Sequence, residues 1–268
     1  MKKRFCALLL VLCLALGLLP AAALAAEDGG AFGTVRWTLD AAGGLTVSGA
    51  GDLPDRAFAG RTDIVAVTFT GQVARIGRSA FAGCTQLRRV DGFGAVTSVM
   101  SQAFAGCTVL AELTVPGTVA GIGTGAFSGC TGLTAAVFAP GVRSLGAYAL
   151  AGCTALRRVD LPDGMTLLGS GLFSGCTALA ELPLPDDAAW VEPRLCENCT
   201  ALQTVVLPAA MTEVPRGLLR GCTGLRRVTF QGAVTAVGDG AFSGCDALTD
   251  VYFTGTRPQW LSLIHISE

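Results

Sequence analysis

Apolar residues fall in fixed columns of a 23-residue period along most of this chain. The period is marked by Cys84, Cys107, Cys130, Cys153, Cys176, Cys199, Cys222 and Cys245. Counted from the residue after each cysteine, column three is leucine in every copy, from Leu87 to Leu248. Column eight is mostly large and apolar (Phe69, Val115, Phe138, Leu161, Leu184, Leu207, Phe230, Phe253), and proline often follows, at Pro116, Pro162, Pro185 and Pro208. Column fifteen holds Ile76, Val99, Ile122, Leu145, Leu168, Val191, Val214 and Val237. Column twenty is mainly phenylalanine, at Phe81, Phe104, Phe127, Phe173 and Phe242. One period before Cys84, "AFAGR" copies "AFAGC" but ends on Arg61, so an atypical first copy shares the register.

These columns predict three pieces per copy. "LxxVxLP" alternates in its last part and reads as a short strand stopped by proline. "VxxIG" reads as a second short extended piece ending on a glycine turn. "AFxGC" reads as a tight turn, up to one helical turn, that aims the aromatic ring inward. Such a copy cannot bury its apolar face alone, so the copies must stack and the ends need caps. A 23-residue repeat without an insertion or deletion therefore predicts a solenoid of stacked coils with short parallel strands.

The consensus "LxxVxLPxxVxxIGxxAFxGCxx" resembles the BspA-type bacterial leucine-rich repeat of secreted and surface proteins. "GTVRWTLDAAGGLTVSGAG", Gly33 to Gly51, resembles the N-terminal cap that often precedes such arrays, and "VYFTGTRPQW", Val251 to Trp260, resembles a terminal cap. The resemblance implies a leucine-rich-repeat solenoid, α/β in class but rich in β, with an N-terminal β cap. It also implies use in adhesion or protein recognition, with no family catalytic residues to carry over. The expected organisation is a signal peptide at 1–26, a cap and atypical first repeat at 27–61, eight repeats at 62–245, a partial C-terminal cap repeat at 246–260 and a tail at 261–268.

The first residues set the compartment. Lys2, Lys3 and Arg4 precede an apolar, uncharged run from Phe5 to Leu19, and "PAAALAA" offers cleavage after Ala25 or Ala26. That run is short for a spanning helix, so the expectation is secretion or display at the cell surface, with no membrane span in the mature chain. Cleavage takes the formal charge from −1 to −4 and removes both lysines. An acidic chain whose cations are all arginine, without aromatics interleaved among them, is a poor nucleic-acid partner. His265 is the only histidine, which weighs against Ser-His-Asp, Cys-His and histidine-rich zinc chemistry. No enzyme, cofactor or metal is expected.

The cysteine column has two readings. Cysteine is a common small buried filler, and equivalent positions in adjacent coils lie about 4.8 Å apart, which alone would permit disulfides. However, equivalent Cβ atoms point the same way, which favours free, packed thiols. Arg61 is tolerated in this column because an end coil exposes it. Cys196 occupies the phenylalanine column and creates "CENC", Cys196 to Cys199. It reads as drift in one coil, with a redox pair, half a zinc site or a local disulfide as alternatives.

Column five carries a longer rhythm: Ala66, Arg89, Glu112, Ala135, Arg158, Glu181, Thr204, Arg227, Asp250. Neutral, basic and acidic alternate in threes, a 69-residue period laid over the first. With columns six and eight inward, column five points outward, and cross-strand pairs Arg89–Glu112, Arg158–Glu181 and Arg227–Asp250 are expected. These pairs are a solvated, register-fixing face, or they belong to a recognition surface that adds Arg88, Asp91, Arg157, Asp160, Arg226 and Tyr252. A second candidate patch is Asp186, Asp187, Trp190 and Glu192 in an irregular coil, suited to protein or sugar contact or else a local repacking. "GIGTGA" at Gly121 lacks the βαβ context of a dinucleotide site, and "NCT" at Asn198 is a sequon only in a glycosylating host.

After Trp260, "LSLIHISE" abandons the repeat and looks like the translation of a transposase-type sequencing-adapter end, so residues 261–268 are expected to be a non-native tail. The favoured function is non-catalytic: a secreted or surface protein, expected to be monomeric, that binds an unknown protein or glycan. The alternatives are a targeting or stalk module of a longer secreted enzyme or anchored protein.

Overall fold

The computed structural model describes residues 28–188 and 191–253. The leader-like stretch 1–26, Trp190, the expected C-terminal cap beyond Phe253 and the tail after Trp260 lie outside the described residues. An antiparallel meander opens the fold: β1 (Asp28–Phe32), β2 (Val35–Leu39) and β3 (Gly44–Leu53). β3 turns a corner between the two sides of the solenoid. Its first half pairs in parallel with Ala66–Phe69, and Ala50 to Leu53 pair with Gln72–Ile76. Gly49, with φ +90°, lets the strand bend there, and a Cβ would sit 2.2 Å from the Thr34 carbonyl oxygen.

Each coil then contributes two strands and a turn. The longer strands occupy columns five to eight, as in Glu112–Val115, Ala135–Phe138, Thr204–Leu207 and Arg227–Phe230. Glu112–Val115 and Thr204–Leu207 alternate exposed and buried residues throughout, the pattern of a strand with one face on the core. Within three successive runs neighbours pair in register one period apart, Ala135 with Arg158 and Thr204 with Arg227, but Arg89–Gly92 does not pair with Glu112–Val115, nor Arg158–Asp160 with Glu181–Leu182. The shorter strands, such as Ser98–Val99, Gly121–Ile122 and Ser144–Leu145, form a second parallel side. In the second coil the register slips between Val67 and Thr68, because Gly92 stands in column eight and Phe93 fills the core instead.

The third side is built from "AFxGC" turns, and no helix occurs among the described residues. The expected helical turn is replaced by two left-handed residues per turn. One is the glycine before each cysteine, and before Arg61 in the first copy, with φ +70° to +75° at Gly60, Gly83, Gly106, Gly129, Gly152, Gly175, Gly221 and Gly244, and Asn198 substitutes at +61°. The other lies four residues earlier, at Ser79, Gln102, Gly125 and their equivalents. Breaking the helical dihedrals twice turns alternate N–H groups along the stack. Phe81 N donates to the Ala103 carbonyl and Gly83 N to Ala105, both at 2.7 Å, so the turns form a ladder of their own.

The core is one continuous apolar column from Val35 in the cap to Ala241 in the last coil. Phe58, Phe81, Phe104 and Phe127 stack with centroids 5.3, 5.0 and 5.2 Å apart. Leu150, Phe173, Cys196 and Leu219 continue that column, all buried.

Arg61 is no freely exposed end residue. Its guanidinium reaches Asp63 at 2.6 Å and Asp28 at 2.9 Å and lies 5.4 Å over the Trp37 ring. Its side chain is 26% exposed. The cap covers this coil, and the arginine fastens β1 and β2 to the first repeat.

Candidate functional site

The cysteine column is a row of free thiols. The seven from Cys84 to Cys222 are fully buried and Cys245 is half-buried. Each Sγ–H donates to the backbone carbonyl 26 residues earlier: Cys84 to Phe58 at 3.1 Å, Cys130 to Phe104 at 3.3 Å, Cys222 to Cys196 at 3.0 Å. Burial pushes the Cys84 thiol up to about 11, and it also raises Cys153, Cys176 and Cys222. Cys196 is raised first by its hydrogen bond with Cys199 and then by burial. Such thiols are poor nucleophiles. Cys196 and Cys199 are both free thiols, and Cys199 Sγ still donates to Phe173. Among the described residues no cluster of three or more His, Cys, Asp or Glu is arranged to hold a metal ion.

The outward side of the longer strands carries the charged columns. Arg88, Arg89, Asp91, Glu112, Arg157, Arg158, Glu181, Arg226, Arg227 and Tyr252 are exposed, while Asp160 and Asp250 are half-buried. Only the last of the three expected cross-strand ion pairs forms: Arg227 lies 3.5 Å from Asp250, directly opposite it in register. Arg89 instead pairs with Asp91 on its own strand at 2.7 Å, and Arg158 with Asp160, Nε to Oδ1 at 3.0 Å. Residues two apart on a strand share a face, so the aspartate in column seven captures the arginine in column five. The third copy has Thr229 there, which leaves Arg227 to Asp250 and to the Tyr252 ring, 5.3 Å away. Hydrogen bonds to Asp91 and Asp160 hold the Arg89 and Arg158 guanidiniums above their ordinary range.

The ion pairs engage column five and leave column four out. Arg88, Arg157 and Arg226 are exposed and lie outside every ion pair among the described residues. Their backbones are fixed: Arg88 N donates to Val65, Arg157 N to Thr134 and Arg226 N to Gln203. Each follows a coil with small or neutral residues in columns four and five: Val65–Ala66, Thr134–Ala135, Gln203–Thr204. A depression of about 340 Å³ opens beside the last, bounded by Gln203, Thr204, Arg226, Arg227, Thr249 and Asp250.

Of the second candidate patch, Asp186, Asp187 and Glu192 fall among the described residues. Asp187 accepts a hydrogen bond from Gly164 N at 2.8 Å, tying its turn to the preceding coil, and the Asp186 carbonyl accepts from Ala210 N. Trp190 lies outside the described residues. Glu192 instead borders an open groove of about 690 Å³ with Val191, Glu213 and Arg216. The groove marks a gap in the second side. Gly123, Gly146, Gly169, Glu192 and Gly238 each donate their N–H to the preceding coil, but Pro215 has none to give. Pro215 in a glycine column was the signal in the sequence for this gap.

Among the described residues no helix is long and apolar enough to cross a membrane. A family model described as "BspA type Leucine rich repeat region" matches residues 51–179 and 144–259. A search of curated proteins returned no match. Among solved structures, a leucine-rich repeat protein from Bacteroides ovatus is 22% identical, with a TM-score of 0.59 over 85% of this chain and 75% of that one. A leucine-rich repeat protein from T. pallidum is 24% identical, with a TM-score of 0.55 over 83% of this chain and 91% of its own. Both likenesses concern the fold. The family match runs through the coils whose columns, parallel ladders and turn glycines are described above, and the chain belongs to the BspA-type leucine-rich-repeat family.

Proposed function

We propose that this chain is a secreted or cell-surface recognition protein that binds a macromolecule, without catalysis, through the outward side of its longer strands. The observation that carries the reading is the three-coil rhythm of charge on that side. Core columns repeat every coil because packing demands it, but an exposed column is free to vary, and this one recurs as neutral, basic, acidic over nine positions. The leader-like residues before Ala26 support export. The raised thiols and the absence of histidine before His265 leave little for nucleophilic or acid–base chemistry.

The test is a protein and glycan array probed with the intact chain and with the R89E/R158E/R227E variant. The reading expects the variant to fold normally and to lose at least about tenfold in affinity for whatever the intact chain captures. Equal binding by the two proteins would remove the strand side as the recognition surface.

A further inference from the structure

We infer that the partner of this strand side is a linear acidic polysaccharide, laid along the solenoid axis with acidic groups at Arg88, Arg157 and Arg226. The inference rests on the proposed recognition role and names its ligand class. Column-five arginines are already neutralised, by Asp91, Asp160 and Asp250. The column-four arginines are not, and they are held at matching places on a backbone ladder. Successive members stand three coils apart, about 14 Å, and the outer two about 29 Å.

A row of like charges that recurs every third coil suits a partner that repeats at regular intervals, which a polymer does and a globular protein surface does not. Guanidinium groups offer planar, two-pronged donors that fit carboxylate, sulfate or phosphate groups. A neutral coil precedes each arginine, and at Arg226 a depression beside Thr204 and Thr249 leaves room for a sugar unit. Glu112 and Glu181 stand exposed between the arginines and repel a dense run of negative charge. They therefore favour polymers whose acidic groups are spaced apart.

The experiment measures binding of the full chain to size-fractionated hyaluronan, with polygalacturonate and heparin for comparison. Affinity should rise in steps as the oligosaccharide grows long enough to reach a second and a third arginine. R88A, R157A and R226A should each weaken the long polymer by about 1.4- to fivefold, the range for exposed charge contacts. R143A, in another column, should leave it unchanged, and E112Q/E181Q should strengthen it. Circular dichroism and melting confirm that each variant is folded. Binding to none of the three polymers would overturn the inference, as would equal affinity for the shortest and longest chains, or insensitivity to the three arginines. If the array instead yields an acidic protein whose capture fails in R89E/R158E/R227E, the recognition role stands and the polysaccharide falls.

Discussion

A buried thiol in this molecule acts as a short apolar side chain with one weak donor, and each is matched to a carbonyl in the preceding coil. Two expectations follow at this scale. The native chain should react slowly with an aromatic disulfide reagent, Cys245 first because it is only half-buried, and the rest only on denaturation. Rapid reaction of the full column in the native state would contradict the packing. Because burial raises these pKa values in the folded chain, the contribution to stability is complete below the unfolded thiol pKa of about 8.5 and fades as pH climbs toward about 11 at Cys84. Replacing Cys84 with alanine should flatten the alkaline limb of the melting curve. The turn glycines make a separate prediction. A Cβ on Gly106 would meet its nearest neighbours at 3.8 and 3.9 Å, so Gly106→Ala should cost about 1–2 kcal/mol through its left-handed φ of +71° alone. Chemical denaturation reads that loss. Gln102→Gly, at φ +58°, should be neutral or stabilising.

At the level of elements, the cap and its arginine clasp decide how well the N-terminal end is sealed. Hydrogen bonding from Arg61 holds the Asp63 carboxyl below its ordinary range. That contribution is present above the usual aspartate pKa and is lost as pH falls below about 4. Both partners face solvent in part, so it is worth less than about 1 kcal/mol. Protection from hydrogen exchange in β1 and β2, taken relative to the intrinsic rate at each pH, should fall at acid pH in the native chain, and in R61A it should already be reduced at neutral pH. The strands and their register were legible in the sequence because period-two burial on an unbroken 23-residue repeat admits one stacking. The ion pairs were less so. Column counting places Arg89 beside Glu112, but Asp91 is near along the same strand, and no ladder joins Arg89–Gly92 to Glu112–Val115. Arg61 looked like an end residue because the cap that covers it lies outside the repeat grammar. The AFxGC segment reads as a tight turn of up to one helical turn, and its second left-handed residue was not legible because Ser79 and Gln102 are not glycines.

The whole molecule behaves as a one-dimensional array whose stability is a sum of coil and interface terms. Removing residues 108–176 deletes one three-coil unit and joins Cys107 to Thr177 in register. The charge rhythm survives, with Glu181 following Arg89, but the arginine rows fall from three to two. Such a chain should still unfold cooperatively, with a smaller denaturant dependence because less surface is exposed. The most direct test of the account is the affinity of this shortened chain, beside the intact one, for a single partner selected on the array. Recognition through a repeated strand side predicts a folded protein with clearly weaker binding, comparable to that of an intact chain carrying R157A/R158A. Undiminished affinity in the shortened chain would mean that the three-coil rhythm is a solvated surface and that binding lies elsewhere.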